Sequence, residues 1–156
     1  MGSMTKIYDP TTDHFDVREF ACKDGTPYPA EWEHDESRLP ALKRTLEEIR
    51  HACGDHTITV VCGYRSPAYN TQIRQRGLKG ERLSTGVALF SHHTVGRAAD
   101  ILCFGMATLT LHELVLGLYD CGELPELGGI GYYPRLGFVH VDVARPPSGT
   151  LRRWNG

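Results

Sequence analysis

Several features that would point to particular classes of protein are missing from this 156-residue sequence. No apolar run approaches the roughly 20 residues that a membrane-spanning helix needs, so no membrane span is predicted. The formal net charge is -2 with histidine neutral, which gives no electrostatic reason to expect nucleic acid as a partner. The sequence has no internal repeat and no low-complexity segment. Its length and globular composition predict one ordinary domain, and a monomer is expected.

The N-terminal residues also lack the apolar core of a secretory signal. Gly2 and Ser3 before a second methionine indicate a cloning remnant at residues 1–3, and a native leader could have been removed with it. We predict an N-terminal arm at 1–19, inside an irregular stretch that runs to residue 36. The remaining residues, 20–156, are predicted to form a single domain.

The cysteines show neither CxxC pairs nor zinc-knuckle spacing. Their odd number argues against a complete disulfide framework, although one or two disulfides stay open. Two of them lie in apolar, strand-like runs and are predicted to be buried free thiols. The five are Cys22, Cys53, Cys62, Cys103 and Cys121, and the two predicted as buried are Cys62 and Cys103.

Hydrophobic periodicity predicts a mixture of helices and strands without regular alternation. Ser37 is the predicted cap of the first helix, Ser66 caps the second, and Thr110 forms a capping box with Glu113 in the third. This pattern predicts an α+β fold with a small, mainly antiparallel sheet flanked by helices. The predicted elements are a helix at 39–53, a strand at 57–62, a helix from Pro67 to about Gly77, a loop at 78–90 broken by Gly80 and Gly86, a strand at 97–104, a helix at 110–120, a hairpin at 128–143 and an irregular tail at 145–156.

Two short segments carry residues suited to a metal site. In the strand GFVHVDV, Phe138, His140 and Asp142 share one face, while the alternating valines face the core. In SHHTVGRAAD, residues 91–100, a turn can bring His93 and Asp100 together. Two imidazoles and a carboxylate are ligands that zinc favours, with a fourth position left open for water. His92 competes with His93 for the ligand role on chemistry alone.

These segments resemble motifs of the zinc D-Ala-D-Ala carboxypeptidase family, peptidoglycan metallopeptidases that share a fold with the hedgehog signalling domain. The resemblance is carried by Ser91, His93, Gly96, Ala98 and Asp100, followed by GFVHVDV. GYRSPAYN at 63–70 and FACKDGTPYP at 20–29 extend it, so that it spans 20–154. It implies a hedgehog-like fold and a zinc ion held by His93, Asp100 and His140. It also implies that Arg65 and Ser91 bind substrate.

One position departs from the family pattern. Many relatives carry an acidic general base three residues before the last zinc histidine, where this sequence has Gly137. Asp142 is the nearest substitute as a catalytic residue, or else it supports a ligand imidazole by a hydrogen bond. His92 and Tyr133 are further candidates for proton transfer or transition-state stabilisation, and Tyr133 also for substrate binding. Arg65 is a candidate to stabilise the oxyanion, against the alternative of a structural salt bridge.

We therefore expect a zinc peptidase that hydrolyses stem-peptide or cross-link bonds of peptidoglycan, as a D,D-carboxypeptidase or an endopeptidase. The expected location is the periplasm or cell wall, or a phage lysin. The first alternative is a non-catalytic wall-binding module stabilised by zinc. A thiol hydrolase using one cysteine and one histidine is a second alternative, disfavoured because no cysteine has the sequence context of a nucleophile.

Overall fold

A computed structural model describes residues 13–78, 88 and 91–156. Most of the predicted 78–90 loop, including Gly80 and Gly86, lies outside the described residues, as does the predicted cloning remnant at 1–3. Within the described ranges the chain forms three α-helices, five strands and three short 3₁₀-helices. In chain order these are the 3₁₀-helices Val17–Phe20 and Ala30–Trp32, α1 (Leu39–Ala52), β1 (Ile58–Cys62), α2 (Pro67–Leu78), the 3₁₀-helix His92–Val95, β2 (Ala98–Cys103), α3 (Thr108–Asp120), β3 (Gly129–Tyr133), β4 (Phe138–Asp142) and β5 (Arg152–Asn155).

Helix α1 forms where the sequence predicts it, because its apolar stripe is buried along one side. Leu42, Leu46 and Ile49 are fully buried, and burying each such side chain contributes about 1.5–3 kcal/mol. Proline lies in the first turn as expected. The predicted Ser37 cap is wrong: the N-cap is Arg38, without a side-chain bond, because the Ser37 hydroxyl donates to Asp35 instead.

Of the other two helices, α2 starts as predicted and α3 does not. For α2, the Ser66 hydroxyl accepts from the backbone N–H of Tyr69 at 3.1 Å, which confirms the predicted cap. Helix α3 begins two residues earlier than predicted, after Ala107, with no side-chain cap. The predicted capping box at Thr110 is therefore wrong, because Thr110 already lies within the first turn.

The five described strands form one sheet in the order β1-β2-β4-β3-β5. All neighbouring pairs are antiparallel except β3 and β5, which are parallel. The predicted irregular tail is thus wrong for its last residues. The segment RRWN has no buried apolar alternation of its own, and β5 forms because it pairs with β3 at the sheet edge.

The two faces of the sheet have different roles. Side chains of Ile101, Val139 and Val141 lie on one face and join the hydrophobic core with α1 and α3. The predicted inward orientation of the β4 valines is confirmed. The opposite face carries polar and aromatic side chains. Because α1 and α3 pack on the first face, this second face is available for a site. The predicted α+β fold with a mainly antiparallel sheet is confirmed.

The described part of the N-terminal arm is packed rather than detached. Phe15, within the predicted arm, and Phe20, directly after it, are buried in the core, and the Phe20 carbonyl accepts from the backbone N–H of Tyr64 at 2.8 Å. A Cβ on Gly63 would lie 2.7 Å from the Phe20 Cα, so glycine permits this close approach. The 19/20 domain boundary stays a prediction.

Two further predictions concern the whole described chain. Among the described residues no helix is both long enough and apolar enough to cross a membrane. All five cysteines are free thiols. Cys103 is buried as predicted, whereas Cys62 is only partly buried, and its surroundings are described below.

Candidate metal centre

The strand registers place one residue from each strand in a single row across the polar face of the sheet. Asp100 of β2 lies opposite Cys62 of β1 and opposite His140 of β4. His140 in turn lies opposite Gly131 of β3, which lies opposite Trp154 of β5. Directly paired residues project on the same side of a sheet. Pairing therefore brings together residues that are far apart in sequence.

His93 reaches this row from the 3₁₀-helix that precedes β2. Ser91 caps that helix, its hydroxyl accepting from the backbone N–H of His93 at 3.2 Å. Gly96 ends it with a φ of 71°, a left-handed conformation that favours glycine. A Cβ on Gly96 would also lie 2.7 Å from the hydroxyl oxygen of Tyr28. The motif glycine thus turns the chain directly into β2, and His93 is 2% exposed.

The three predicted zinc ligands converge in a compact triangle. The Nε2 atom of His93 lies 3.2 Å from Asp100 Oδ1 and 3.2 Å from His140 Nδ1. His140 Nδ1 lies 3.1 Å from the same Asp100 oxygen. Zinc–nitrogen bonds of about 2.0–2.1 Å at tetrahedral angles hold ligand atoms roughly 3.3 Å apart. The triangle has the dimensions of one face of such a tetrahedron.

Outer hydrogen bonds fix which ring nitrogens can act as ligands. His93 Nδ1 lies 2.7 Å from the Gly63 carbonyl oxygen, which can only accept, so Nδ1 carries the proton and Nε2 has the lone pair. His140 Nε2 lies 2.9 Å from an Asp142 carboxylate oxygen, so Nδ1 has the lone pair. Metal-bound histidines are oriented by partners of this kind. Both lone pairs therefore point into the triangle, and the residues fit a zinc ion.

The charges of the triangle agree with this interpretation. Burial by itself lowers the pKa of His93, but Asp100 and Cys62 together outweigh it and raise that pKa to about 10. Burial would raise the pKa of Asp100, yet His93 and His140 lower it below its usual value. An ionised buried carboxylate here requires a positive partner, which is a proton on imidazole or a metal ion in its place.

Cys62 presents a second set of ligand atoms at the same place. Its sulfur, one His93 nitrogen and one Asp100 oxygen lie within 4.8 Å of one another. Burial acts to raise the pKa of this thiol, but His93 and Arg65 outweigh it and lower the pKa. Cys62 therefore has a positively charged environment that its sequence context did not indicate. The sulfur faces His93 Nδ1 at 3.9 Å, the nitrogen that donates to Gly63.

Arg65 lies at the edge of the triangle. One guanidinium nitrogen is 3.6 Å from the Asp100 oxygen that does not face the histidines. Its Nε donates to the Cys62 sulfur at 3.3 Å, and another nitrogen donates to Asn70 at 3.4 Å. These contacts hold the guanidinium beside the candidate metal position, where a planar donor fork can bind a carboxylate or carbonyl oxygen.

Asp142 lies behind His140. It is 0% exposed, and its second oxygen accepts from Arg152 at 2.5 Å and from the backbone N–H of Ala144 at 3.1 Å. Burial would raise the pKa of Asp142, but the bonds from His140 and Arg152 lower it. The carboxylate is thus ionised and engaged on both oxygens. A Cβ on Gly129 would lie 2.5 Å from it.

Aromatic side chains form one side of the site. The Trp154 ring lies 4.9 Å from the His140 ring, centroid to centroid. Tyr133 stacks on Phe138 at 4.8 Å. All three aromatic side chains are partly exposed. Gly131 makes room for the indole, because a Cβ there would lie 2.6 Å from the Trp154 ring.

Two remaining predicted positions have local explanations. Gly137 has a φ of 77° in the turn between β3 and β4, so the hairpin favours glycine where relatives carry an acid. His92 is half-buried next to His93. Burial lowers the pKa of His92, which keeps its ring neutral and able to accept a proton at neutral pH.

The structure thus brings together His93, Asp100 and His140, with Arg65 beside them and Asp142 behind. Ser91 contributes its hydroxyl to the helix cap. Sequence reasoning missed three residues, Cys62, Arg152 and Trp154. The glycines of GGIGYY could have indicated that other side chains pack against this strand, because a glycine inside a strand often marks the close approach of another group.

Comparison with known proteins supports the resemblance. A family model described as peptidoglycan L,D-endopeptidase MepK (Peptidase_M15_2) matches residues 33–154. Peptidoglycan L,D-endopeptidase MepK of Escherichia coli K12 is 35% identical over 116 residues, which cover 74% of this chain and 53% of that protein. The probable peptidoglycan L,D-endopeptidase MepK of Haemophilus influenzae is 35% identical over 99 residues, which cover 64% of this chain and 43% of that protein.

The chain spans about half the length of the curated relatives it matches. No solved structure matches it, so the hedgehog-like character of the fold stays a prediction. The predicted membership of the zinc D-Ala-D-Ala carboxypeptidase-like peptidases is confirmed. The chain belongs to the Peptidase_M15_2 family.

Proposed function

We propose that this chain is a zinc-dependent peptidase that cuts peptide bonds of peptidoglycan, in the periplasm or cell wall. The observation that carries the proposal is the triangle of His93 Nε2, Asp100 Oδ1 and His140 Nδ1, with sides of 3.1–3.2 Å. Both lone pairs are fixed toward its centre by outer hydrogen bonds. The names of the relatives favour an L,D-endopeptidase over the D,D-carboxypeptidase that the sequence alone also allowed.

A zinc ion held by these three residues would activate a water molecule and polarise the scissile carbonyl. The chain's own groups perform the rest. Arg65, next to Asp100, binds the developing oxyanion or a substrate carboxylate. Tyr133 binds the substrate from the aromatic side of the site. Ser91 shapes the turn that carries His93, and substrate binding by its hydroxyl stays a prediction.

We assign Asp142 the task of positioning His140. Its carboxylate lies on the side of the imidazole that faces away from the other ligands. Its other oxygen is engaged by Arg152 and Ala144. A proton acceptor must exchange protons with water and substrate, and a fully buried carboxylate with both oxygens bonded is poorly placed for that. His92 is then the candidate to move the proton, since its ring is neutral at neutral pH and partly exposed.

The Cys62 set of ligands is the less favourable metal site. Cys62 Sγ lies on the side of the His93 Nδ1 atom, whose proton is donated to the Gly63 carbonyl. For the same reason His93 is badly oriented to activate Cys62 as a nucleophile, because Nδ1 has no lone pair for the thiol proton. The geometry therefore supports a metal mechanism over the thiol hydrolase.

The test is digestion of purified peptidoglycan by zinc-loaded protein, with products identified by mass spectrometry. Muropeptides that carry only L,D cross-links and muropeptides that carry only D,D bonds are supplied separately. We expect new peptide termini from the L,D substrate, lost in His93→Ala and abolished by a chelator. Cleavage of the D,D substrate alone would move the assignment to D,D-peptidase. Inactivation by a thiol reagent but not by a chelator would contradict the metal mechanism.

The same zinc-loaded protein and muropeptides distinguish a peptidase from a non-catalytic wall-binding module. The absence of an acid at Gly137 favours it. Folded, zinc-loaded protein that binds muropeptides but cuts none over a broad pH range would establish the module and overturn the peptidase.

A further inference from the structure

Trp154 of β5 has no role in the mechanism proposed above, yet its ring lies 4.9 Å from the ring of His140, a candidate zinc ligand. It projects from β5 on the same face as His140, and Gly131 between them has no side chain to separate the two rings. Its indole N–H donates a hydrogen bond of 2.8 Å to the hydroxyl oxygen of Tyr133. Trp154 therefore contacts both a candidate metal ligand and the predicted substrate-binding tyrosine.

The direction of this hydrogen bond limits what Tyr133 can do. An indole nitrogen is only a donor, so the Tyr133 oxygen must be the acceptor. The hydroxyl proton of Tyr133 is then not used in this bond and can be donated to another acceptor. The Tyr133 ring is itself fixed by stacking on Phe138 at 4.8 Å and 28°. Ring and hydroxyl are thus both held, with the proton available.

We propose that Trp154 is a positioning residue that aims the hydroxyl proton of Tyr133 at a carbonyl oxygen of the bound peptide. This inference rests on the proposed function, because it takes the peptide as the substrate. The aromatic surface formed by Trp154, Tyr133 and Phe138 is the side of the site against which that peptide lies. A peptide backbone offers acceptors in every residue, which matches a surface that presents a single fixed donor.

The experiment compares four zinc-loaded proteins acting on purified cross-linked muropeptides: wild type, Trp154→Phe, Tyr133→Phe and the double variant. Phenylalanine keeps an aromatic ring over Gly131 but removes the N–H. We expect kcat/KM to fall about fivefold in Trp154→Phe, the effect of one neutral hydrogen bond. Tyr133→Phe should fall at least as far, and the double variant should equal Tyr133→Phe, because Trp154 acts through that hydroxyl.

Controls separate this role from simple packing. Tyr119→Phe removes a hydroxyl from α3, on the other side of the sheet, and should leave kcat/KM unchanged. The zinc dissociation constant of Trp154→Phe should match wild type within about twofold. A loss of zinc affinity would mean that the indole acts through His140, and it would overturn the proposal. So would additive losses in the double variant, or wild-type activity in Trp154→Phe.

Two further measurements keep the proposal testable if activity is absent or a variant does not fold. In the metal-free state, Tyr133→Phe and Trp154→Phe should each bind the same muropeptides several-fold more weakly than wild type does. If wild type cuts nothing, the proposed function fails, and unchanged binding in both variants would also remove this inference. If Trp154→Phe is unfolded, the indole N–H resonances of wild type and Tyr133→Phe decide. The chain has two tryptophans, and one of their two indole N–H resonances should shift in Tyr133→Phe because the acceptor oxygen is lost. Identical spectra would contradict the hydrogen bond between Trp154 and Tyr133.

Discussion

Replacing Asp142 by asparagine separates the two roles that the sequence leaves open for this residue. The change is nearly isosteric but converts one acceptor oxygen into a donor. Asp142 accepts from His140 on one oxygen and from Arg152 and Ala144 on the other. Because the side chain is 0% exposed, water cannot compensate for a mismatched donor.

Either orientation of the new amide is unfavourable. With its NH₂ toward His140, the amide donates to Nε2 and moves the ring proton to Nδ1, the atom assigned to the metal. With its NH₂ toward Arg152, two donors face each other and the guanidinium loses a charged partner. A buried unsatisfied group costs about 1–3 kcal/mol. Loss of a hydrogen-bonded partner behind a ligand histidine lowers metal affinity roughly 10- to 100-fold, or about 1.4–2.7 kcal/mol.

The assay is competition for zinc against a chromophoric chelator at neutral pH, together with kcat/KM on muropeptides. We expect Asp142→Asn to raise the zinc dissociation constant at least tenfold, with activity restored in part by excess zinc. Asp120→Asn is the matched control, because it removes an exposed carboxylate that pairs with Arg153 at 3.8 Å. Unchanged zinc affinity combined with a large fall in kcat would refute the positioning role and make Asp142 the general base.

Three further predictions test other parts of the site. In metal-free protein the pKa of His93 is raised to about 10 from 6.5, so the stabilising contribution of its protonated ring is complete below pH 6.5 and is lost as the pH rises toward 10. Calorimetry should show the melting temperature falling over that range. A fall of equal size in His93→Gln would show that His93 is not the group that titrates. Cys62→Ser should leave zinc stoichiometry and affinity unchanged by the same chelator competition, whereas loss of zinc would favour the Cys62 ligand set. Gly131→Ala places a Cβ 2.6 Å from the Trp154 ring. We expect it to lower the free energy of unfolding by about 1–3 kcal/mol, measured by urea unfolding. An unaltered urea midpoint would show that the indole does not lie over β3.

The elements that the sequence predicted well are those with a strong local signal. Helix α1 has apolar residues at each turn, and β4 alternates valines with polar residues, so burial follows directly from the pattern. His93, Asp100 and His140 were predicted as ligands from the family resemblance, because its motifs include the turn and strands that carry them. Their convergence in the structure comes from β2 pairing with β4, which motif spacing alone does not show.

What could not be predicted depends on contacts between distant segments. Strand β5 has arginines and one tryptophan but no buried face of its own, and it exists only by pairing with β3. Arg152 and Trp154 therefore had no visible connection to the site. Cys62 was interpreted as a buried thiol because an apolar strand suggested it. In the structure Cys62 is the last residue of β1, follows an irregularity in the β1–β2 pairing, and lies beside His93.

The central claim is that three side chains hold one metal ion. The most direct measurement is the zinc content of purified, folded protein by elemental analysis, for wild type and for His93→Ala, Asp100→Ala and His140→Ala. We expect one zinc per wild-type chain and loss of that zinc in each variant. Folded wild-type protein that takes up no zinc, or variants that all retain it, would contradict the account.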